Sequence, residues 1–315
     1  SFMVESNDSC FVKTWTNLAY REGFPVMTSY SIRLFGAAAC HDIDGDGFSE
    51  IFACGFDGAI YGFDHAGNDI NDIDPYSTDP FAVINSYTGV PHRLGHIWSS
   101  PAIGDIDNDG DVEFVITTRV ENKVYAFESD GSISAGWPVT LSNLFTTPAI
   151  YNVDSDPEQE IILTTLNHRI IVLNHDGTFM NDSEIFYHMS SSDGSCFIPP
   201  AIGDIDNDGI DEIIVSGGNA GSSQAILYAA SSDGNIPSGF PIVFSNPIGF
   251  TTSASLGNVD DDSLTLEIVV ATKFLGLCVF DHRGNLVEGF PYGINSSIES
   301  SPALADIDSD GRCEI

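Results

Sequence analysis

The sequence predicts an all-β fold built from repeated units of four short strands. Three observations lead to this prediction. An acidic loop recurs about every 53 residues, from Asp42 in its first copy to Asp306 in its sixth. A second motif that ends in Gly-Trp-Pro or Gly-Phe-Pro follows several of these loops. Gly and Pro interrupt the chain, and no long stretch shows helical periodicity.

The first two strands of each unit flank the acidic loop. In the clearest copy, PAIGDIDNDGDVEFVI at residues 101–116, an apolar triplet precedes the loop and an apolar run follows it. Short apolar runs bounded by turn residues are typical of strands. Related sequences occupy residues 38–53, 148–163, 200–215, 254–270 and 302–315. We therefore distinguish loops one to six in chain order, and number the positions of each loop from its first acidic or amide residue.

The last two strands of each unit lie in the second motif. KVYAFESDGSISAGWPV at residues 123–139 aligns with residues 226–242 and 276–292. Its apolar segment predicts a third strand, the pair Asp130-Gly131 predicts a turn, and the segment near GWPV predicts a fourth strand. Four strands in about 40 to 50 residues are typical of the blades of a β-propeller. A β-helix or solenoid is the alternative, although its repeats are usually shorter.

The ends of the chain bear on the number of blades. The chain opens with what resembles strands three and four of a blade and stops inside a sixth acidic loop unit. If the two ends complete one blade, the ring has six blades and no exposed sheet edge. If the chain is a fragment, seven or more blades are expected. We expect a single propeller domain over residues 1–315, truncated at one or both ends, within a larger multidomain protein.

The charge restricts the classes of partner. With 10 Lys and Arg against 46 Asp and Glu, the formal net charge is −36. Such a chain repels nucleic acid and anionic membrane surfaces, and it attracts cations. No stretch approaches 18 consecutive apolar residues, so we expect no membrane insertion. The partners that we expect are a protein or a carbohydrate ligand.

The acidic loops have the composition of a site for a hard cation. In loop two, Asp105, Asp107, Asp109 and Glu113 occupy positions one, three, five and nine. Carboxylates this close repel one another unless water or a bound cation separates them, and Ca²⁺ prefers oxygen ligands. An EF-hand requires its last acid at position twelve, where these loops carry apolar residues. For any single loop, a solvated acidic turn is the alternative.

A D-x-D-x-D-G-x-x-E loop between two strands, repeated through the chain, resembles the FG-GAP or VCBS repeats of integrin-α-like β-propellers. The resemblance implies one structural calcium ion in each loop, held by the side chains at positions one, three, five and nine and the carbonyl at position seven. The implied ligands are Asp42, Asp44, Asp46 and Glu50 in loop one; Asp105, Asp107, Asp109 and Glu113 in loop two; Asn152, Asp154, Asp156 and Glu160 in loop three; Asp204, Asp206, Asp208 and Glu212 in loop four; Asn258, Asp260, Asp262 and Glu267 in loop five; and Asp306, Asp308, Asp310 and Glu314 in loop six.

Loops three and five depart from this pattern. Loop three has Pro157 where loops one, two, four and six have Gly, and loop five is one residue longer and has no Gly. We expect both to bind calcium weakly or not at all. Six ions of charge +2 would change the net charge from −36 to −24, so bound calcium is expected to stabilise the fold by relieving repulsion.

The cysteines, one tryptophan and one long segment give further expectations. Most of the six cysteines are expected to be buried free thiols, and Cys40 and Cys54 are the best candidates for a disulfide because they flank one loop. Trp137 is expected to pack within the blades rather than to hold a sugar. The segment Asn68–Trp98 is the largest departure from the repeat, and insertions of this kind often contribute to a binding face.

Three functions are compatible with the sequence. A secreted or cell-surface adhesion module would present loops to a protein or glycan and use calcium for stability. A polysaccharide lyase, or another carbohydrate-active enzyme, would need a general base near a calcium ion, for which His92, Arg93 and His96 are the candidates. A spacer domain of a larger surface protein would have no ligand of its own. The sequence lacks the known motifs of nucleophilic or nucleotide-dependent catalysis, and this favours a non-enzymatic role.

Overall fold

The computed structural model describes residues 3–5, 9–11, 34, 36–56, 58–70, 82–83, 97–144, 146–154, 156–189, 198–217, 225–244, 250, 252–260, 265–273, 275–293, 298 and 300–315. The described part opens with an antiparallel hairpin of β1 (Met3–Glu5) and β2 (Ser9–Phe11). The opening segment from Val12 onward, whose sequence resembles strands three and four of a blade, lies outside the described residues up to residue 33.

Four antiparallel sheets of four strands and one of three follow, and each is a meander of consecutive strands. The first contains β3 (Ala39–His41), β4 (Glu50–Cys54), β5 (Ala59–Phe63) and β6 (Ala82–Val83). The second contains β7 (Ala102–Gly104), β8 (Glu113–Thr118), β9 (Lys123–Phe127) and β10 (Val139–Thr140). The third contains β11 (Ala149–Tyr151), β12 (Glu160–Thr164), β13 (Arg169–Leu173) and β14 (Tyr187–His188).

The fourth contains β15 (Ala201–Gly203), β16 (Glu212–Gly217), β17 (Ala225–Ser231) and β18 (Ile242–Phe244). The fifth contains β19 (Ser255–Gly257), β20 (Glu267–Thr272) and β21 (Gly276–Phe280), with a further bridge between Leu277 and Tyr292. An antiparallel bridge between Ala305 and Glu314 begins a sixth unit. The prediction of an all-β propeller with four-stranded blades is confirmed. We refer to the five sheets as blades one to five; the number of blades in the ring and the extent of the domain stay predictions.

Helical structure in the described part of the chain is confined to a 3-10 turn at Met180–Asp182. No helix there is long and apolar enough to cross a membrane.

The central strands are buried, and their middle residues are apolar, because neighbouring sheets pack face to face. In β8, Phe114 and Ile116 pack with Phe52 of blade one, while Val115, on the opposite face, packs with Ile161 of blade three. Successive side chains of a strand point to opposite faces, so a sheet enclosed between two others buries apolar residues on both faces. Blades three and four, and blades four and five, share clusters of the same kind.

Buried hydroxyl groups also join consecutive blades. The fifth residue of the second strand donates a hydrogen bond to a carbonyl that precedes the first strand of the next blade. The bonds run from Thr117 Oγ1 to the Thr146 carbonyl (2.7 Å), from Thr164 Oγ1 to the Ile198 carbonyl (3.0 Å) and from Ser216 Oγ to the Thr252 carbonyl (2.9 Å). These bonds satisfy carbonyl groups that would otherwise be buried without a partner.

The Gly-Trp-Pro motif is a contact between blades. Trp137 is 8% exposed, and its indole Nε1 donates a hydrogen bond to the carbonyl oxygen of His175 in blade three. Gly136 lies so close to this turn that a Cβ atom there would overlap the carbonyl oxygen of Asp176. The prediction that Trp137 packs within the blades is confirmed.

The cysteines follow the sequence-based expectation only in part. Cys54 and Cys278 are buried free thiols, as predicted, whereas Cys40 is exposed and also free. The suggested disulfide between Cys40 and Cys54 is wrong. Cys40 pairs with Ile51 across β3 and β4, and Cys54 lies three residues further along β4. This offset of about 10 Å along the strand exceeds the Cα separation that a disulfide spans.

Candidate metal centres

The acidic loops all lie at one end of the blades. Each loop connects the first strand of a blade to the second, and a meander returns every such connection to the same end of its sheet. The first strands of blades one, two and three, β3, β7 and β11, also contact one another in order, as do β15 and β19. Loops of consecutive blades are therefore neighbours.

The side chain at position one accepts hydrogen bonds from the backbone of its own loop. In loop two, Asp105 accepts hydrogen bonds at Oδ1 from the amide of Asp109 (3.1 Å) and at Oδ2 from the amide of Gly110 (3.1 Å). Gly110 has φ of 101°, a conformation that glycine adopts without the strain of a Cβ atom. The same pair of bonds forms at Asp204 and Asp306.

Position four has a left-handed conformation that the sequence analysis did not predict. The residues and φ angles are Gly45 at 74°, Asn108 at 58°, Asn207 at 60° and Ser309 at 64°. Glycine and asparagine are the residues that most readily adopt this conformation, so their recurrence at position four was an available signal.

Five loops bring three carboxylates together. In each, one oxygen from every member lies within 4.8 Å of the others. The clusters are Asp42, Asp44 and Glu50; Asp105, Asp107 and Glu113; Asp154, Asp156 and Glu160; Asp204, Asp206 and Glu212; and Asp306, Asp308 and Glu314. Four of the five consist of positions one, three and nine, and loop three uses positions three, five and nine.

The predicted ligand at position five makes a local turn in all five of these loops. One carboxylate oxygen accepts a hydrogen bond from the backbone amide at position seven. The bonds join Asp46 to Phe48, Asp109 to Asp111, Asp156 to Glu158, Asp208 to Ile210 and Asp310 to Arg312. In loop six the second oxygen of Asp310 also pairs with the Arg312 guanidinium, 2.5 Å away.

Loops three and five differ from the others, in line with their sequences. In loop three, the side-chain Nδ2 of Asn152 donates to the carbonyl of Asp156 (2.6 Å), whereas the Asp105 side chain accepts two hydrogen bonds at the same position of loop two. Loop five has no cluster of three carboxylates among its described residues, and Asp262 lies outside them. In loop five, the side-chain Nδ2 of Asn258 donates to the carbonyl of Gly311 in loop six (3.1 Å).

The loop glutamate, at position nine in five loops and at position ten in the longer loop five, is held in the same way in every loop. Its Oε2 accepts a hydrogen bond from the amide of the position-two residue. The six pairs are Glu50 with Ile43 (2.9 Å), Glu113 with Ile106 (2.7 Å), Glu160 with Val153 (2.8 Å), Glu212 with Ile205 (3.1 Å), Glu267 with Val259 (2.7 Å) and Glu314 with Ile307 (2.9 Å). This bond orients the second oxygen of each carboxylate.

That second oxygen has different surroundings in loops two and four. Glu113 is 1% exposed, and its Oε1 is buried without a hydrogen-bond partner. Glu212 is equally buried, but its Oε1 accepts a hydrogen bond from the Ser231 hydroxyl, 2.9 Å away. A buried carboxylate oxygen without a donor is costly unless a cation or another donor reaches it.

Burial and crowding alter the acidity of these glutamates. Burial is the main cause that raises the pKa of Glu113 to about 7, and the charge of nearby Asp107 adds to it. The pKa values of Glu160 and Glu212 are also raised to about 7, again chiefly by burial. Without a cation, burial and the neighbouring charges both oppose ionisation.

The residues present fit a calcium ion. The donors in the clusters are carboxylate oxygens, which suit hard cations, and the described residues of the loops bring no thiol or imidazole into the clusters. The orphaned Glu113 Oε1 supplies a ligand oxygen that the folded chain leaves unused. When bound, the ion would neutralise carboxylates and clamp the first two strands of a blade together.

The other predicted functional residues are not described by the structure. His92, Arg93 and His96 lie outside the described residues, as do residues 71–81 and 84–96 of the segment Asn68–Trp98.

Comparisons with known proteins show similarity in fold only. No protein-family model and no curated protein matches the sequence. The biofilm matrix protein Bap1 of V. cholerae is similar in structure at 15% identity and a TM-score of 0.49, over 81% of this chain and 42% of Bap1. Virginiamycin B lyase from Staphylococcus aureus is similar at 15% identity and a TM-score of 0.49, over 86% of this chain and 74% of the lyase.

BBS1N, whose structure was solved in complex with ARL6DN, is similar at 10% identity and a TM-score of 0.49, over 81% of this chain and 66% of BBS1N. The chain thus spans less than half the length of Bap1 and about two thirds of BBS1N. At sequence identities of 15% or less, these similarities do not indicate a shared function.

Proposed function

We propose that this protein is a calcium-stabilised β-propeller that serves as an adhesion-type binding module, secreted or at the cell surface, for a protein or glycan ligand. One observation carries the calcium part of the proposal. Glu113 is almost fully buried, it lies in a cluster with Asp105 and Asp107, and one of its oxygens has no hydrogen-bond partner. A divalent cation is the ligand that such an oxygen-only cluster would bind.

Calcium would stabilise the fold by binding only the folded state. The free-energy gain at one site is about 2.7 kcal/mol when the free ion concentration is one hundred times the dissociation constant. Five occupied clusters would add ten positive charges to a chain of formal charge −36. Because extracellular calcium reaches millimolar concentrations, exposed loops of modest affinity would be filled there.

A binding role is supported by the division of the molecule into a rigid core and loops. Neighbouring blades share buried apolar clusters, and in the described loops the acidic residues are held by hydrogen bonds from backbone amides. Rigid scaffolds that present loops at their ends are well suited to recognition.

Thermal unfolding tests the calcium proposal. We expect calcium-free protein to gain several degrees in Tm when millimolar calcium is added, and expect no gain with magnesium at the same concentration. Glu113→Gln should reduce the gain because it removes a charged ligand. Asp111→Asn is the matched control, since it removes the same charge from the same loop but lies outside the cluster. Equal effects of the two variants would refute a specific site.

The binding proposal needs a separate measurement. Calcium-loaded protein would be applied to glycan arrays and to immobilised matrix proteins, with chelated protein as the comparison. Saturable binding to one class of ligand is the expected result. Binding to none of these surfaces, by protein that is shown to be folded and calcium-loaded, would contradict the adhesion role.

A further inference from the structure

Loop three reaches across to loop two through Gln159. The side-chain Nε2 of Gln159 donates a hydrogen bond to the carbonyl of Asp105 (3.0 Å), and its backbone amide donates to the carbonyl of Ile106 (2.8 Å). Gln159 is half-buried and lies immediately before Glu160, so one residue of loop three contacts two consecutive carbonyls of loop two.

The Asp105–Ile106 peptide group is thereby bonded at both ends. Its carbonyl accepts the hydrogen bond from Gln159, and its N–H, that of Ile106, donates to Glu113 Oε2 (2.7 Å). Hydrogen bonds in series polarise and orient one another. A series of two hydrogen bonds therefore links the Gln159 side-chain amide, through the Asp105–Ile106 peptide group, to the Glu113 carboxylate. The other oxygen of that carboxylate has no donor.

The hydrogen bond from the backbone amide of Gln159 has counterparts in other loops. Among the described loops, a hydrogen bond from the side chain at this position to the preceding loop occurs only at Gln159. In three places, the amide of the residue before the loop glutamate donates to a carbonyl of the preceding blade's loop. These bonds run from Gln159 to Ile106 (2.8 Å), from Leu266 to Ile205 (3.0 Å) and from Cys313 to Asn258 (2.6 Å). Leu266 and Cys313 make them without a side-chain amide, so the fold does not require one at this position.

From this geometry we propose that Gln159 is a positioning residue for the calcium site of loop two, and that loops two and three are coupled through it. The inference rests on the proposed binding of calcium. Gln159 does not touch the ion; it fixes the peptide group that orients Glu113. Outer-shell hydrogen bonds of this kind typically change metal affinity by 10- to 100-fold.

The test uses Gln159→Leu, which keeps the backbone bond, as Leu266 does in loop five. It is measured in two backgrounds by calorimetric calcium titration and by the calcium-induced change in Tm. In Asp154→Asn/Asp156→Asn, which removes the loop-three cluster, we expect Gln159→Leu to weaken one site about ten-fold. In the Asp107→Asn/Glu113→Gln background, which lacks the loop-two cluster, we expect Gln159→Leu to leave the calcium affinity and the calcium-induced change in Tm unchanged.

The outcomes separate this inference from the proposed function. An unchanged affinity in the first background, or an equal loss in both, would overturn the inference, because Gln159 would then act only on its own loop or on the fold. Gln159→Glu is a second variant of the same size that removes the donor, and the Tm of each variant in chelator reports any purely structural damage. A wild-type protein that does not respond to calcium would instead refute the proposed function.

Discussion

The indole Nε1 of Trp137 and the carbonyl oxygen of His175 are 2.9 Å apart and join blade two to blade three by a hydrogen bond. The donor belongs to the motif before the fourth strand, and the acceptor belongs to the turn after the third strand of the next blade. Phe240 and Phe290 occupy the position of Trp137 in blades four and five, so an aromatic ring recurs in three blades, and among these three the N–H group is particular to blade two.

Trp137→Phe is expected to lower the free energy of unfolding by about 1 kcal/mol, because it removes the donor and retains most of the ring. Trp137→Ala should cost about 3 to 5 kcal/mol through the lost packing. Urea denaturation of the two variants measures both values. If Trp137→Phe is as stable as the wild type, the hydrogen bond makes no net contribution to the free energy of unfolding.

The glycine of the same motif provides a test of the contact between blades. Gly239 has φ of 100°, and a Cβ atom there would overlap the carbonyl oxygen of Arg283 in the next blade. Gly289 has φ of 95°, and a Cβ atom there would meet nothing within 4 Å. Both alanine variants incur the left-handed strain of about 1 to 2 kcal/mol. Only Gly239→Ala should cost substantially more, because it also forces two blades apart.

Denaturant midpoints of the two variants give this comparison directly. Equal losses for Gly239→Ala and Gly289→Ala would show that the blades accommodate the added methyl group without separating.

The hydroxyl bonds between blades predict a loss of stability when one is removed. Thr117→Val keeps the shape of the side chain but leaves the Thr146 carbonyl without its 2.7 Å donor. We expect a loss of about 1 to 3 kcal/mol, the usual range for a buried polar group left unpaired. Thr140→Val, on the exposed edge strand β10, is the matched control and should be nearly neutral. Similar losses for the two would contradict the assigned role of Thr117.

The buried glutamates predict a pH dependence of the calcium-free protein. The pKa values of Glu113, Glu160 and Glu212 are about 7 in the folded chain, above the value of about 4.3 for an unfolded glutamate. A raised folded-state pKa contributes stability that is complete below pH 4.3 and is lost as the pH rises through about 7. The chelated protein should therefore lose Tm between about pH 4.3 and about pH 7, and the gain on adding calcium should increase over the same interval.

Scanning calorimetry at several pH values, with and without calcium, measures both trends. The variant with all three glutamates replaced by glutamine separates this effect from general repulsion, because its Tm in chelator should vary less with pH. A chelated wild type that becomes more stable toward pH 8 would contradict the assignment.

Much of the fold and of the candidate site could be predicted from the sequence. Apolar runs and Asp-Gly turns repeat in register with the strands, because strand formation and turn geometry depend on neighbouring residues. The five carboxylate clusters follow from the spacing of acids within nine residues. The role of Asp109 was less predictable. Its carboxylate oxygen accepts a hydrogen bond from the backbone amide two residues later, and the spacing of acids in the sequence does not distinguish a metal ligand from a residue that makes a local turn.

The sequence by itself determined what lies within a blade: four strands, an acidic loop between the first two, and a glutamate at the start of the second. Only the tertiary structure decided what lies between blades, including the bonds from Trp137 to His175 and from Gln159 to Asp105, and the exposure of Cys40. The physical reason is distance along the chain. Contacts within a hairpin join residues a few positions apart, whereas these bonds join residues 38 and 54 positions apart. Such pairs form only once the sheets have stacked.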